Sequence, residues 1–209
     1  MKNLIPQLSF ADKIIVCDSY STDGTTEYLN SCPNVQVVSQ EWENNFGKKR
    51  QCALDATPDG VWVLRLDSDE MLTTPTIENF RMICNELDEA NCDRAMFNIY
   101  HMLQDRTHCN NMVGIELRLF VKGDTVWRNK VHEILDGKFP GSSYSFDPIY
   151  SIVHLKYLLG NKKKEEYLRE GFYDNRTMDS LENGLVVPLP NDVDYDIVNE
   201  NIFNIKETN

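Results

Sequence analysis

The sequence predicts an α/β protein: a mixed, mostly parallel central sheet flanked by helices. Three observations carry that prediction. Short β-branched runs alternate with helix-length segments across residues 13 to 66. Turn and cap residues punctuate each run. Acids stand at the carboxyl ends of two runs, where open α/β sheets hold their ligands.

"KIIVC" (13 to 17) reads as a buried strand, and "DSYSTDG" after it as a loop leading to a helix that starts near Thr22 to Thr25. Glu27 supports the first turn of that helix, "TTEYLNS", which stops at Cys32-Pro33. "VQVVS" (35 to 39) is a second strand, "GKKRQCALDAT" (47 to 57) a second helix and "VWVLRL" (61 to 66) a third strand. Strand, helix, strand, helix, strand is the rhythm of a sheet with helical crossovers. "TPTIENFRMICNELDEA" (74 to 90) is an amphipathic helix with proline in its first turn. Beyond it the rhythm changes, and "RAMFNIYHML", "IELRLFVK" and "YSIVHL" read as strands of a mixed or antiparallel portion. "KKKEEYLREGFYDNRTM" (162 to 178) reads as a charged surface helix. The domain is expected to span 1–181. Residues 182–209, with six acids against Lys206 alone, form an acidic tail packed on it or a linker toward further domains.

At 209 residues and 41% hydrophobic composition, the chain can build a real core, which argues against global disorder. A net charge of −12 argues against nucleic acid as the main partner, because phosphate backbones need a basic face. A small phosphorylated ligand stays open to a local basic cluster or a metal. No apolar run reaches the roughly 18 to 20 residues of a membrane span. "MKNLIPQLSF" makes a poor signal peptide. Six scattered cysteines without a CxxC pair read as reduced residues of a cytoplasmic protein.

"VWVLRLDSDE" (61 to 70) carries the strongest chemistry: an apolar strand climbing to Asp67-x-Asp69 with Glu70 behind. Two carboxylates at a strand end can converge on one hard cation, Mg²⁺ or Mn²⁺, which commonly bridges to a diphosphate. The alternative is a solvated loop with Asp67 or Asp69 capping the following helix. "DSYSTDGT" (18 to 25) offers an acid and hydroxyl donors to a ribose or base edge, or is simply a well-formed turn and N-cap. "NNFGKKRQCAL" (44 to 54) places Lys48, Lys49 and Arg50 at a helix N-terminal turn, either an anion site or a solvated basic turn.

The segments "DKIIVCDSYSTDGTTEYL", "FGKKRQCAL" and "DGVWVLRLDSDE", in this order and spacing, resemble the family-2 glycosyltransferases with the GT-A (nucleotide-diphospho-sugar transferase-like) fold. "ELRLFVKGDTVWRNKVHEIL" and "IVHLKYLLGNKKKEEYL" resemble the subgroup that includes lipopolysaccharide-core glucosyltransferases, and the likeness runs from residue 8 to about 175. The resemblance implies an inverting, metal-dependent hexosyl transfer from a UDP- or dTDP-linked donor to a glycan or glycoconjugate hydroxyl. It implies that Asp18 contacts the uracil or ribose, with Ser19 beside it, and that Arg50 lies against the base or phosphates. Asp67 would contact the ribose or metal-bound water, Asp69 would bind the metal directly, and His154 would be a third ligand. Imidazole among carboxylates favours Mn²⁺ over Mg²⁺; the alternative is that His154 is a hydrogen-bonded core residue. Glu133 is the expected general base, an ordinary strand acid being its alternative, with Asp136 in reserve and His132 orienting. Arg118 would meet the diphosphate or form a salt bridge within the sheet.

The chain departs from the family pattern in two ways. Only "MKNLIPQ" precedes the segment that follows the family's usual first strand and helix, and "GLVVPLP" (184 to 190) is a candidate substitute for that strand. Lys49, Gln51 and Cys52 depart from the usual alanine, arginine and asparagine signature. Two rivals stand beside this reading. One is a non-catalytic module binding a nucleotide sugar or glycan within a larger protein. The other is a haloacid-dehalogenase-type phosphotransferase, which wants Thr or Val where this chain has Met71.

Overall fold

Ile14, Ile15 and Val16 favour extended backbone because branching at Cβ suits a pleated strand. They open β1 (Ile14–Asp18) in the computed structural model, which describes residues 1–2, 4–103, 108–155 and 186–188. Gly24, at φ 85, begins α1 (Thr25–Ser31), and Cys32-Pro33 ends it. β2 (Val35–Ser39) then lies parallel to β1, Ile14 opposite Val35 and Asp18 opposite Ser39. Asn45 caps α2 (Phe46–Asp55) by accepting a 2.9 Å hydrogen bond from the Lys48 amide.

β3 (Trp62–Leu64) does not continue the β1–β2 pair. It pairs antiparallel with β6 (His108–Val121), inside a seven-stranded mixed sheet that also holds β5 (Cys92–Met102), β10 (Ser151–His154) and β4 (Glu70–Leu72). β5 pairs antiparallel with β6 and parallel with both β9 (Ser142–Ser145) and β10. The sequence rhythm suggested one continuous sheet through β1, β2 and β3. No described strand lies between β1 and β3, so each keeps one unpaired edge among the described strands. The described part of "GLVVPLP", Val186–Pro188, does not fill that place. Val186–Pro188 (β11) instead pairs antiparallel with His108 to Asn110, where β6 runs beyond the reach of β3. The helix expected over 162 to 178, and the rest of the acidic tail, lie outside the described residues.

The core fills the space under both sheets. α3 (Thr74–Glu89), with Pro75 in its first turn, buries Thr76, Phe80, Ile83 and Leu87, the spacing of one helix face. Phe80, Ile83 and Leu87 pack with Leu29, Ile14, Phe97, Leu119 and Ile152 into one apolar cluster, and Leu4, Ile5 and Leu8, at a 3₁₀ turn (Ile5–Leu8), join it. The same turn places Gln7 Oε1 3.2 Å from the Leu72 amide, which it accepts.

One close approach positions the candidate site. A Cβ at Gly47 would overlap the carbonyl oxygen of Asn129, and the Phe46 amide donates to the Lys130 carbonyl at 3.0 Å. Only glycine therefore lets the first turn of α2 lie against the connection between β7 (Thr125–Arg128) and β8 (Ile134–Gly137). That docking brings Arg50 to residues more than seventy positions later in the chain.

Candidate active site

Asp67, Ser68 and Asp69 occupy the tight turn between β3 and β4, closed by the Glu70 amide donating to the Asp67 carbonyl at 3.1 Å. The turn caps no helix: α3 begins later, after Thr73. β4 was not foreseen, since it is three residues long and opens on an acid. It forms because β10 offers a partner, with His154 opposite Glu70 and the Leu155 amide donating to the Asp69 carbonyl at 2.8 Å. This register carries His154 to the acid turn, its Nε2 3.4 Å from Asp69 Oδ2.

Asp67 faces a different way. Arg50 Nη2 donates to both its carboxylate oxygens at 3.1 Å, and Arg65 Nη1 lies 3.3 Å from Oδ2. Burial alone would raise the Asp67 pKa, but the charges of Arg65, Arg50 and Arg118 outweigh it and hold the carboxyl down to about 2. Arg65 moves the other way, to about 10, through its own burial and the nearby Arg118 charge.

Arg50 is the central connection. Besides Asp67, its Nη1 pairs with the Glu133 carboxylate. Its guanidinium lies 5.5 Å from the ring centre of Trp127, and that of Arg65 lies 5.6 Å from the same ring. Burial works against the charged form of Arg50, yet Asp67 and Glu133 together raise its pKa. Arg118 is 3% exposed and grips Glu70, itself fully buried, through two hydrogen bonds of 2.7 and 2.6 Å. It also lies 3.0 Å from Glu116 and 3.9 Å from Asp67. Its guanidinium is thus engaged by carboxylates within the sheet, the second of the two roles expected for it.

Asp18 ends β1 with its carboxylate turned inward. It accepts from the Ser21 amide at 2.9 Å, the Ser21 hydroxyl at 2.6 Å and the Thr26 hydroxyl at 3.0 Å. Burial raises its pKa, and those bonds lower it by more. Ser19 Oγ accepts from Lys49 Nζ at 2.6 Å, tying the loop to α2 beside Arg50. Asp136 lies on exposed β8, paired with Arg128 Nε at 2.7 Å, and His132 is an exposed turn residue next to Glu133.

The structure therefore brings Arg50, Asp67, Arg118 and Glu133 into one network, and Asp69 and His154 into a neighbouring pair. Asp18 is held within its own loop by Ser21 and Thr26, Lys49 ties Ser19 to the helix that carries Arg50, and Asp136 remains on its own ion pair. Among the described residues no three His, Cys, Asp or Glu side chains converge as a metal cluster. The Asp69–His154 pair still fits a divalent cation by chemistry: a hard oxygen and an imidazole nitrogen face each other at a distance one ion can bridge. Sequence reasoning missed Arg65, Trp127 and Glu116. The signal for Arg65 was present, since a charge inside "VWVLRL" must find a partner when its strand is buried.

The model of Glycosyl transferase family 2 matches residues 1–151, most of the described chain. The chain belongs to glycosyl transferase family 2. Family 2 implies the GT-A fold, and the mixed α/β architecture with helices on the sheet is that fold. It also supports a glycosyl transfer role, and with that role come a nucleotide-sugar donor and an acceptor. Among curated proteins, none matches the chain. No helix among the described residues is long and apolar enough to cross a membrane.

Proposed function

We propose that this family-2 enzyme transfers a hexosyl group, with inversion, from a UDP- or dTDP-linked donor to a hydroxyl of a glycan or glycoconjugate. The observation that carries the reading is Arg50, whose one guanidinium reaches both Asp67 on the acid turn and the candidate base Glu133. Donor-side and acceptor-side chemistry meet at that side chain. The likeness to the lipopolysaccharide-core glucosyltransferases supports the hexosyl class, and a cytoplasmic location, argued from cysteine usage, belongs to the same proposal.

In this reading the acceptor oxygen attacks the anomeric carbon from the face opposite the diphosphate. The bond to the diphosphate oxygen breaks, that oxygen keeps the electron pair, and Glu133 takes the hydroxyl proton. Arg50 and Arg65 stabilise negative charge gathering on the leaving group. Asp69 and His154 would hold a divalent cation, Mn²⁺ in preference to Mg²⁺, which would supply positive charge to offset the diphosphate. Asp18 and Ser19 shape the loop that receives the nucleoside. While Arg50 holds Glu133, the base is occupied. A diphosphate that competes for the same guanidinium releases it, so donor binding precedes proton removal. Asp136 is the reserve base.

The test is nucleotide release from UDP- and dTDP-hexoses with Mn²⁺, compared with EDTA and with Asp69→Ala. Slow sugar-nucleotide hydrolysis in the wild type, lower by about 100-fold in Asp69→Ala, supports the enzyme. Nucleotide binding without turnover across a broad acceptor panel overturns it in favour of a binding module.

A further inference from the structure

Among the described residues, five non-glycine residues have φ in the left-handed region: Tyr20, Asn44, Asn91, Asn129 and His132. Asparagine and histidine enter that region with several-fold enrichment, so four of the five need little explanation. Tyr20, at φ 61, does. A bulky aromatic residue there crowds its Cβ against the backbone, and such strain persists only where the surroundings impose it.

The surroundings are visible on both sides. Ser19 is held by Lys49 Nζ at 2.6 Å, and Ser21 is held by the Asp18 carboxylate through its amide and its hydroxyl. The two neighbours fix the backbone of Tyr20 between them. The result is a phenol ring 65% exposed, the most exposed large side chain among the described apolar and aromatic residues. Its side chain makes no hydrogen bond or ring contact with any described residue. An exposed aromatic face on a backbone held at both neighbours is suited to stacking on another flat ring, because the backbone part of its ordering cost is already met. Its place narrows the choice of ring. Tyr20 projects from the carboxyl end of β1, two residues past Asp18, and Lys49 links its loop to the helix that carries Arg50.

We infer that Tyr20 is the platform on which the nucleobase of the donor stacks, a specificity element for nucleosides over bare phosphates. The inference rests on the proposal that the site takes a nucleoside diphosphate. Every base has a π-face, so the platform adds affinity for UDP, dTDP, GDP and ADP alike and leaves choice among them to other contacts.

The experiment measures the Kd of these four nucleoside diphosphates and of inorganic pyrophosphate, with Mn²⁺, for wild type, Tyr20→Phe, Tyr20→Ala and Tyr20→Gly. Thermal midpoints are recorded alongside. Tyr20→Phe is expected to match the wild type. Tyr20→Ala and Tyr20→Gly are expected to weaken binding of the nucleotides by about 5- to 160-fold, the range of base–aromatic stacking, with pyrophosphate unchanged. Tyr20→Gly is expected to melt no lower than the wild type, since glycine relieves the backbone and the ring is largely exposed. Wild type that binds nucleotides while Tyr20→Ala binds them equally well overturns the inference and leaves the proposed function standing. So does a lower midpoint for Tyr20→Gly, or a change confined to acceptor KM. Wild type that binds none of the four overturns the proposed function with it.

Discussion

Arg118→Met is the substitution whose consequence the geometry fixes most tightly. It removes two hydrogen bonds of 2.7 and 2.6 Å from Glu70, whose side chain has no exposure to water. Glu70 would keep only the Asp67 amide, donating at 2.8 Å, as a partner from this network. Breaking a buried ion pair by removing one partner costs about 3 to 5 kcal/mol, because the remaining charge is stranded. At roughly 2 to 4 °C per kcal/mol for a chain of this size, the thermal midpoint falls by about 6 to 20 °C. Arg118→Met combined with Glu70→Met removes both charges and is expected to regain most of the loss, giving a coupling energy of at least about 2 kcal/mol. Urea unfolding of the four proteins in the cycle measures it. A single substitution that costs under about 1 kcal/mol, or a double variant no more stable than Arg118→Met alone, refutes the assignment of Arg118 to the sheet. In that case the diphosphate becomes its better partner.

Two further outcomes follow from the same network. Gly47→Ala forces a methyl group onto the Asn129 carbonyl and is expected to destabilise by about 1 to 3 kcal/mol. It should also speed hydrogen exchange at the Trp127 amide, which donates to Gln51 Oε1 on α2. Unchanged exchange there would show that the α2 docking does not depend on this contact. Asp67, depressed to about 2 in the fold, contributes stability that is fully present above its unfolded pKa near 3.9. That contribution is lost as pH falls through about 2, so Asp67→Asn should flatten stability against pH between those values. An Asp67→Asn curve parallel to the wild type across that window would contradict the arginine pairing.

Local pattern made much of this legible. Ile14 to Val16, Val35 to Val38 and the 76, 80, 83, 87 spacing of α3 announce their elements because backbone preference and burial agree. β4 was illegible because "EML" is a strand only by virtue of β10, far along the chain. The site divides in the same way. Asp67, Asp69 and Arg50 are visible as motifs, and resemblance to the family gave them roles. That Arg50 spans Asp67 and Glu133 could not be read, because the contact is made by a helix docking that turns on one missing methyl group at Gly47. Trp127 escaped for a similar reason: an aromatic far in sequence from the cations it faces shows no motif until a fold brings them together.

The gap between β1 and β3 has a mechanical consequence. Among the described strands no backbone ladder joins the β1–β2 pair to the sheet bearing the acid turn; the apolar core and the docking of α2 on the β7–β8 connection join them instead. α2 rides on β1 and β2, yet Arg50 reaches across to Asp67 and Glu133. That side chain adds charge pairing to the packing and hydrogen bonds that hold the two together.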